Sequence, residues 1–356
     1  MTDNLESYEI AVVGLGPAGS TVARLVGRQY KTIAIDKKSS TDDSFRKPCG
    51  GLLAPDAQKA LSRLNLALPK SVLVDPQIFA VKTIDLKRDI IRHYQRFYIN
   101  LDRQRFDLWL QSLIPDQVNV RNDARCTEIV ATADGFEITY SEDKTEHKIH
   151  ARFVIGADGA NSLVRRSLFA DRPIKKYTAI QQWFAETEQV HFYSCFFDSD
   201  VTDSYCWSVS KDGYFLVGGA FPIKHSQQHF ELLKQKLAKW GFCFDQPFKS
   251  EACLVSMPRG IRDFCVARNN AFLIGEAAGF ISPTSLEGIS YALNSAYHLA
   301  TVLNSNASNP TWQFRLKTLP MRLKLLMKHF KAPFMYKPFL RNLIMKTGIK
   351  SINVIK

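Results

Sequence analysis

Three glycines and one acid carry the most readable chemistry in the chain. Gly14, Gly16 and Gly19 stand at G-x-G-x-x-G spacing, directly after the apolar run Ile10–Val13, and Asp36 closes the next apolar run. Such glycines serve a tight turn, a close approach of backbone to a pyrophosphate, and close helix–strand packing. Pro17 and Ala18 fall in the first turn of the helix that must follow, where the missing Pro N–H costs nothing and the free N–H groups face an anion. An acid at position 36 would bond a ribose 2′-hydroxyl and repel a 2′-phosphate, so the site suits FAD or NAD rather than NADP; Lys37 adjoins it. Two further clusters have chemical potential. Cys49-Gly50-Gly51 reads either as backbone approaching a ligand or as a sharp turn. Tyr205 and Trp207, two apart on a strand-like run, point to one face, either a ligand wall or ordinary sheet core.

These residues need elements to hold them. Residues 8–36 read as strand, glycine turn, helix and strand, followed by a polar loop over 37–46. Residues 56–66 and 103–113 have helical patterns, and the runs at 81–86 and 96–101 are strand-like. Short strands follow at 118–120, 128–132 and 136–140, with Ala133-Asp134-Gly135 as a turn, then a buried strand at 153–155 ending in Gly156-Ala157-Asp158-Gly159. From 177 to 221 aromatic and β-branched residues alternate with polar ones, as in an antiparallel sheet with one covered face. A helix at 230–240 leads to a buried strand at 270–274, then Gly275-Glu276-Ala277-Ala278-Gly279 and a helix over 287–303. The fold class expected is α/β, α+β overall: a Rossmann-type nucleotide unit (residues 1–75, 101–170 and 266–305), an inserted antiparallel-sheet substrate unit (76–100 and 171–265), and a basic helical C-terminal segment (306–356).

Composition bounds the rest. The chain has 356 residues, 46% of them hydrophobic, enough for a sizeable core and two interleaved units. The first strand arrives too early for a signal peptide, and no run of eighteen uncharged apolar residues predicts a transmembrane helix. Seven cysteines, an odd number with no C-x-x-C pair, argue against a disulfide framework or a zinc site and for a reducing cytoplasm. The net charge of +13 is uneven: residues 311–356 hold eleven Lys or Arg and no Asp or Glu, leaving 36 basic against 34 acidic residues before them.

Three motifs in fixed order, GLGPAG at 14–19, GADGANSLVRR at 156–166 and FLIGEAAGFISP at 272–283, resemble the FAD fold of the para-hydroxybenzoate hydroxylase type. Within that group the chain is similar to the geranylgeranyl reductase family over about residues 8–300. Supporting residues are Lys47-Pro48-Cys49-Gly50-Gly51, Arg103-x-x-Phe106-Asp107, residues 283–293, and Tyr205-x-Trp207 followed by Lys211 and Gly218. The resemblance implies FAD as cofactor, with Asp158 and Gly159 near the ribose and pyrophosphate. It puts Gly275 and Glu276 on the ribitol or pyrophosphate side, and Arg103 against the flavin cofactor. The N–H groups of Gly288 and Ile289 would face the flavin pyrimidine. Cys49, Gly50 and Gly51 would lie beside the isoalloxazine ring, where Cys49 is a proton donor, a tunnel lining or a small buried residue. Two departures fall on the substrate side: Val209-Ser210 replaces the family's Phe-Pro, and Leu286 its usual Gly; Glu276 stands where the family has Asp.

The expected activity is hydride transfer from reduced flavin to C=C bonds of an isoprenoid or lipid-like substrate, with NADH, NADPH or another donor as transient reductant. Cys49, Tyr205 and Trp207 are the candidate catalytic residues. An aromatic monooxygenase is the rival enzyme, and a lipid-binding flavoprotein with an envelope-related role and no turnover is the rival without chemistry. Residues 321–331 place Leu323, Leu326, Met327 and Phe330 on one helical face among Arg322, Lys324, Lys328 and Lys331, while Pro320, Pro333 and Pro338 are expected to cut the segment into short pieces. Such a basic amphipathic segment suits an anionic membrane surface, placing a cytoplasmic protein peripherally on the inner face of the membrane. No recognition motif supports nucleic-acid binding. Nothing in the sequence speaks to oligomeric state.

Overall fold

The computed structural model describes residues 5–39, 47–186 and 192–354. Most of the polar loop expected over 37–46 lies outside the described residues. The chain opens with β1 (Glu6–Val13), α1 (Pro17–Val26) and β2 (Thr32–Ile35), and β1 and β2 pair in parallel with Val13 opposite Ile35. Layers on both faces bury these strands, which is why they read as continuous apolar runs rather than as alternation. Next come β3 (Leu52–Leu53), α2 (Pro55–Arg63), β4 (Ile78–Asp85) and β5 (Ile90–Asn100). Because β3 pairs with β5, the chain enters the second sheet straight after Gly51 rather than at residue 76.

The chain returns through α3 (Arg103–Ser112), started by Asp102, whose carboxylate accepts from the Arg105 N–H at 2.8 Å. β6 (Asn119–Arg121) runs parallel to β2. A meander of β7 (Arg125–Ala131), β8 (Phe136–Glu142) and β9 (Thr145–Gly156) brings β9 alongside β1 in parallel. After α4 (Leu163–Leu168) come β10 (Lys176–Ala185), β11 (Tyr193–Phe197), β12 (Cys206–Lys211), β13 (Tyr214–Pro222), α5 (Ser226–Ala238) and β14 (Lys249–Ser256). β15 (Ala267–Arg268) and β16 (Ala271–Leu273) rejoin the first sheet, followed by α6 (Ile289–Asn304), α7 (Pro310–Lys317), α8 (Leu319–Tyr336) and α9 (Pro338–Thr347).

The first sheet has the order β15-β16-β9-β1-β2-β6, with the β7–β8 pair joined to β9; the second runs β14-β10-β13-β12-β11-β4-β5-β3. The second is antiparallel apart from β11 beside β4. Helix α5 covers its outer face, where Phe184, Phe196, Val217 and Phe221 meet Phe230 and Leu233. Its inner face looks toward the first unit, with Tyr205, Trp207 and Leu216 packed among Leu52, Ile281 and Leu286. The result is the Rossmann-type unit, inserted antiparallel sheet and C-terminal helices that the sequence predicts.

Proline does less in the C-terminal helices than expected. Pro320 and Pro338 occupy first turns, but Pro333 sits inside an unbroken α8. Pro333 is only three residues from the end of the helix, so it removes a single hydrogen bond near the last turn. The segment packs on both units. Met321 and Leu325 join the core of the first sheet, while Tyr336 joins the inner face of the second. Arg341 in α9 is buried with its Nε 2.9 Å from the Asp85 carboxylate of β4. No described helix is long and apolar enough to cross a membrane.

Candidate FAD site and the aromatic wall beside it

The glycine turn is built by close approach. Gly14 has φ +94°, and a Cβ there would lie 2.8 Å from the Ala157 backbone; a Cβ on Gly19 would lie 1.7 Å from the Gly14 oxygen. Both must therefore be glycine for the turn, helix and neighbouring strand end to pack. Gly16 differs: a Cβ there would meet nothing within 4 Å. It caps α1, which has Pro17 in its first turn, no acidic side chain there and no side-chain cap. The helix thus presents unneutralised N–H groups beside an open glycine face, which fits a pyrophosphate.

Asp36 is buried at the end of β2 and holds the turn itself. Its Oδ2 accepts from the Leu15 N–H at 2.7 Å and its Oδ1 from the Lys38 N–H at 3.1 Å. Lys37 follows Asp36 in the chain. From α3, the Gln111 Nε2 donates to the Leu15 oxygen at 3.0 Å, so three elements fix this loop. Beside the turn, Asp158 accepts from the Leu163 N–H at the start of α4 at 2.6 Å, while its buried Oδ1 finds no partner among the described residues. Burial pushes this carboxyl up. Gly159, at φ +75°, leaves its Cβ direction empty. Gly275, in contrast, is a packing residue: its Cβ would meet that of Ala18 at 3.0 Å, and the Ser295 Oγ accepts its N–H at 2.9 Å.

Charged groups near the turn stand in pairs. Arg103 opens α3 and donates through Nε to the Asp107 Oδ1 at 2.8 Å, and the Lys38 Nζ lies 3.5 Å from the other carboxylate oxygen. Burial alone would weaken the Arg103 charge, but the Asp107 carboxylate beside it outweighs burial and raises its pKa. Glu276 pairs with Lys47, and its second oxygen accepts from the Ser256 N–H at 2.8 Å. Burial opposes the Lys47 charge, and Glu276 outweighs it. The longer acid at 276 is thus occupied by a lysine of the Lys47-Pro48-Cys49-Gly50-Gly51 stretch. The two positions are 229 residues apart, so nothing local in the sequence announces the pair.

At the start of α6, Glu287 takes the Ser290 N–H and hydroxyl, each at 2.7 Å. The N–H groups of Gly288 and Ile289 have no hydrogen-bond partner among the described residues. Just before them, Leu286 has φ +51°, the left-handed conformation that the family's glycine adopts freely. The backbone shape is retained although the residue is not, at a cost of about 1–2 kcal/mol. The leucine side chain is turned to use, packing against the inner face of the second sheet.

The Cys49-Gly50-Gly51 loop joins the two units. The Cys49 Sγ accepts from the Gly51 N–H at 3.4 Å, and the Gly51 Cβ position would lie 2.4 Å from the Leu101 oxygen, so a turn and a close approach coincide. Lys211, fully enclosed, donates to the Asn100 Oδ1 at 2.5 Å, to the Leu101 oxygen at 2.8 Å and to the Gly51 oxygen at 3.4 Å. Burial pulls its pKa down to about 8. Gly50 faces the Trp207 indole, its Cβ direction ending 4.0 Å from the ring.

Tyr205 and Trp207 lie on the inner face, their rings 5.7 Å apart. The indole lies flat because Gly218 opposite has no Cβ; one there would come within 2.8 Å of the ring. The Tyr205 hydroxyl donates to the Ser285 oxygen at 2.7 Å, and that of Tyr336 to the Thr284 oxygen at 2.9 Å, tying the loop before α6 to the residue that precedes β12 and to α8. Phe197 stacks on Tyr205 at 6.2 Å, and Tyr193 packs nearby. The Trp207 Nε1 and the Gln181 Oε1 are buried without a partner among the described residues. Sequence reasoning quoted Lys47 and Glu287 only within motifs and missed Tyr193 and Tyr336 as parts of this arrangement; Tyr336 sits in a segment read as a basic amphipathic helix.

Open faces at Gly16 and Gly159, the unpartnered Asp158 oxygen and the two free N–H groups starting α6 together fit a dinucleotide with a flavin at its far end. Comparison with known proteins agrees. Residues 113–230 match the FAD binding domain family, a span holding the Asp158–Gly159 turn and the aromatic strands but neither the first glycine turn nor Gly275–Ile289. The match supports FAD as cofactor. In overall structure the chain is similar to a geranylgeranyl bacteriochlorophyll reductase-like protein from Thermoplasma acidophilum, with TM-score 0.78, 20% identity, and 95% and 91% of the two chains covered. It is also similar to PqsL of Pseudomonas aeruginosa, described as a probable FAD-dependent monooxygenase, with TM-score 0.66, 14% identity, and 96% and 100% covered. These similarities concern the fold. In sequence it is 49% identical over 353 residues to Protein CbrA of Escherichia coli O6:H1 (strain CFT073), covering 99% of this chain and 96% of that one. The same identity holds against Protein CbrA of Shigella sonnei, with 99% and 100% covered. Full-length identity at this level, on an FAD-binding oxidoreductase fold, shows that the chain belongs to the CbrA family.

Proposed function

We propose that this protein is an FAD-dependent reductase acting on C=C bonds of an isoprenoid or lipid-like substrate. The observation that carries the reading is the aromatic wall of Tyr193, Phe197, Tyr205 and Trp207, whose Trp207 faces the glycine loop at Gly50. A wall of large apolar rings suits an extended hydrocarbon and keeps water from the reacting bond. When bound, FAD reduced by NADH, NADPH or another donor supplies the hydride. Gly16 and the first turn of α1 hold the pyrophosphate, Asp36 and Asp158 serve the ribose side, and Arg103 and Lys47 stand near the glycine turn. The free N–H groups of Gly288 and Ile289 favour negative charge at the start of α6. Burial pushes the Glu287 carboxyl up, while the Ser290 N–H and hydroxyl that it accepts oppose that shift.

Of the three candidate catalytic residues, Tyr205 has its proton committed to Ser285, and an indole N–H is not a usable acid. Cys49 is therefore assigned as the proton source, and Tyr205 and Trp207 as positioning residues. The experiment is to reduce the purified flavoprotein without oxygen and offer polyprenyl substrates or aromatic acids. Reoxidation coupled to a mass gain of two on the polyprenyl compound supports the reductase, and Cys49→Ala should slow that step while retaining flavin. Oxygen consumption driven by NADPH and stimulated by an aromatic acid would sink the reading.

A further inference from the structure

The helices α7 and α8 are apolar on two opposite faces, and only one of them is covered. Helical hydrogen bonding continues through Thr318, whose N–H donates to the Phe314 oxygen at 3.0 Å and whose oxygen accepts from Arg322 at 3.1 Å. Phe314, Thr318, Met321, Leu325 and Ala332 form the covered face. Leu316, Leu319, Leu323, Met327, Phe330 and Phe334 follow at steps of three or four, offset by two from the covered set, which turns them about 200° around the axis. All six are exposed, Met327 by 61% and Phe330 by 69%, and Phe339 at the start of α9 by 74%. Fourteen of the twenty-one exposed large apolar side chains among the described residues fall within 312–354. Soluble surfaces rarely concentrate apolar area in this way unless something docks there.

Charge selects the occupant. Residues 311–356 contain eleven Lys or Arg and no Asp or Glu. Lys324 is paired with Asp56 and Arg341 with Asp85, but Lys317, Lys331, Lys337, Lys346 and Lys350 make no ion pair among the described residues. A second copy of the chain would set one row of cations against another. A nucleic acid would satisfy the cations but leave the apolar stripe without a partner. An anionic bilayer offers phosphates for the lysines and acyl chains for the stripe. We propose that the outer face of α7–α9 docks this protein onto an anionic lipid surface, with the helix that carries Tyr336 lying at the interface. The proposal rests on the helices alone, so its outcome and that of the reductase reading are separable.

The test is cosedimentation of the full-length, flavin-loaded protein with phosphatidylcholine vesicles, with and without phosphatidylglycerol. Binding should favour the anionic vesicles and weaken with salt. Met327→Asp with Phe330→Asp should abolish most of it while bound flavin and melting temperature are retained. Both side chains are exposed, but should that variant fail to fold, Lys331→Gln with Lys337→Gln removes only surface charge and should lower affinity for anionic vesicles roughly tenfold or more. Absence of binding to either vesicle at low salt overturns the proposal. So does equal binding to both, or an oligomer that the Met327/Phe330 variant converts to monomer without any vesicle binding by the wild type.

Discussion

At the scale of single residues, the glycines of the first turn divide into those required by the fold and those that leave room for a ligand. Gly19→Ala drives a methyl into the Gly14 oxygen and should cost about 1–3 kcal/mol of stability along with flavin. Gly16 has φ −74°, acceptable to alanine, and open space before it. Gly16→Ala should therefore melt like the wild type yet bind FAD roughly tenfold more weakly or worse; calorimetry on both proteins, with unchanged FAD affinity for Gly16→Ala, would refute the placement of the pyrophosphate. Lys211 makes a separate, pH-dependent prediction. Its folded pKa of about 8 lies below the ordinary value of 10.5, so between these the unfolded chain binds more protons and stability contributed by this site rises with pH. Relative to Lys211→Met, the wild type should gain up to about 3 kcal/mol between pH 8 and 10.5. Urea titrations of the two proteins at both ends of that window measure it, and a constant difference would show that the amine is not depressed.

Elements were legible where their signals are local. The glycine turn with its flanking strands, the alternating strands from 177 to 221 and the α6 pattern each declare themselves within a short window, and their observed bounds differ by a few residues. Two things were hidden for a physical reason: they depend on partners far along the chain. The pair of Lys47 with Glu276 is one. The attachment of α9 is the other, since Arg341 reads as one more basic residue of the tail and proves to be buried against Asp85. Pro333, which looks like a break, is harmless so near the end of a helix otherwise held by its covered face. Asp85→Ala should leave the Arg341 guanidinium buried without its counter-charge, a loss of about 3–5 kcal/mol. It should also release α9, seen as faster proteolysis near Lys337; unaltered digestion and stability would mean that the helix is held without this pair.

At the scale of the whole molecule, the class of fold and its cofactor followed from the order of three glycine-rich motifs, whereas the way the C-terminal helices close over both sheets did not. FAD contacts assigned to Gly16, Asp158 and Gly288 come from both ends of the chain, so binding should stabilise the assembly as one unit. Adding FAD to the apoprotein at a thousand times its dissociation constant should contribute about 4 kcal/mol, read as a melting temperature that climbs with the logarithm of FAD concentration. The ion pair between β4 and α9 adds a consequence in time. Asp85 and Arg341 are 256 residues apart, and at a synthesis rate of about 5–20 residues per second the acid waits some tens of seconds for its partner. Until Arg341 is made, Asp85 at the end of β4 has only its chain neighbours, the Lys87 and Arg88 N–H groups and the Arg88 guanidinium, so α9 is among the last elements of the protein to dock.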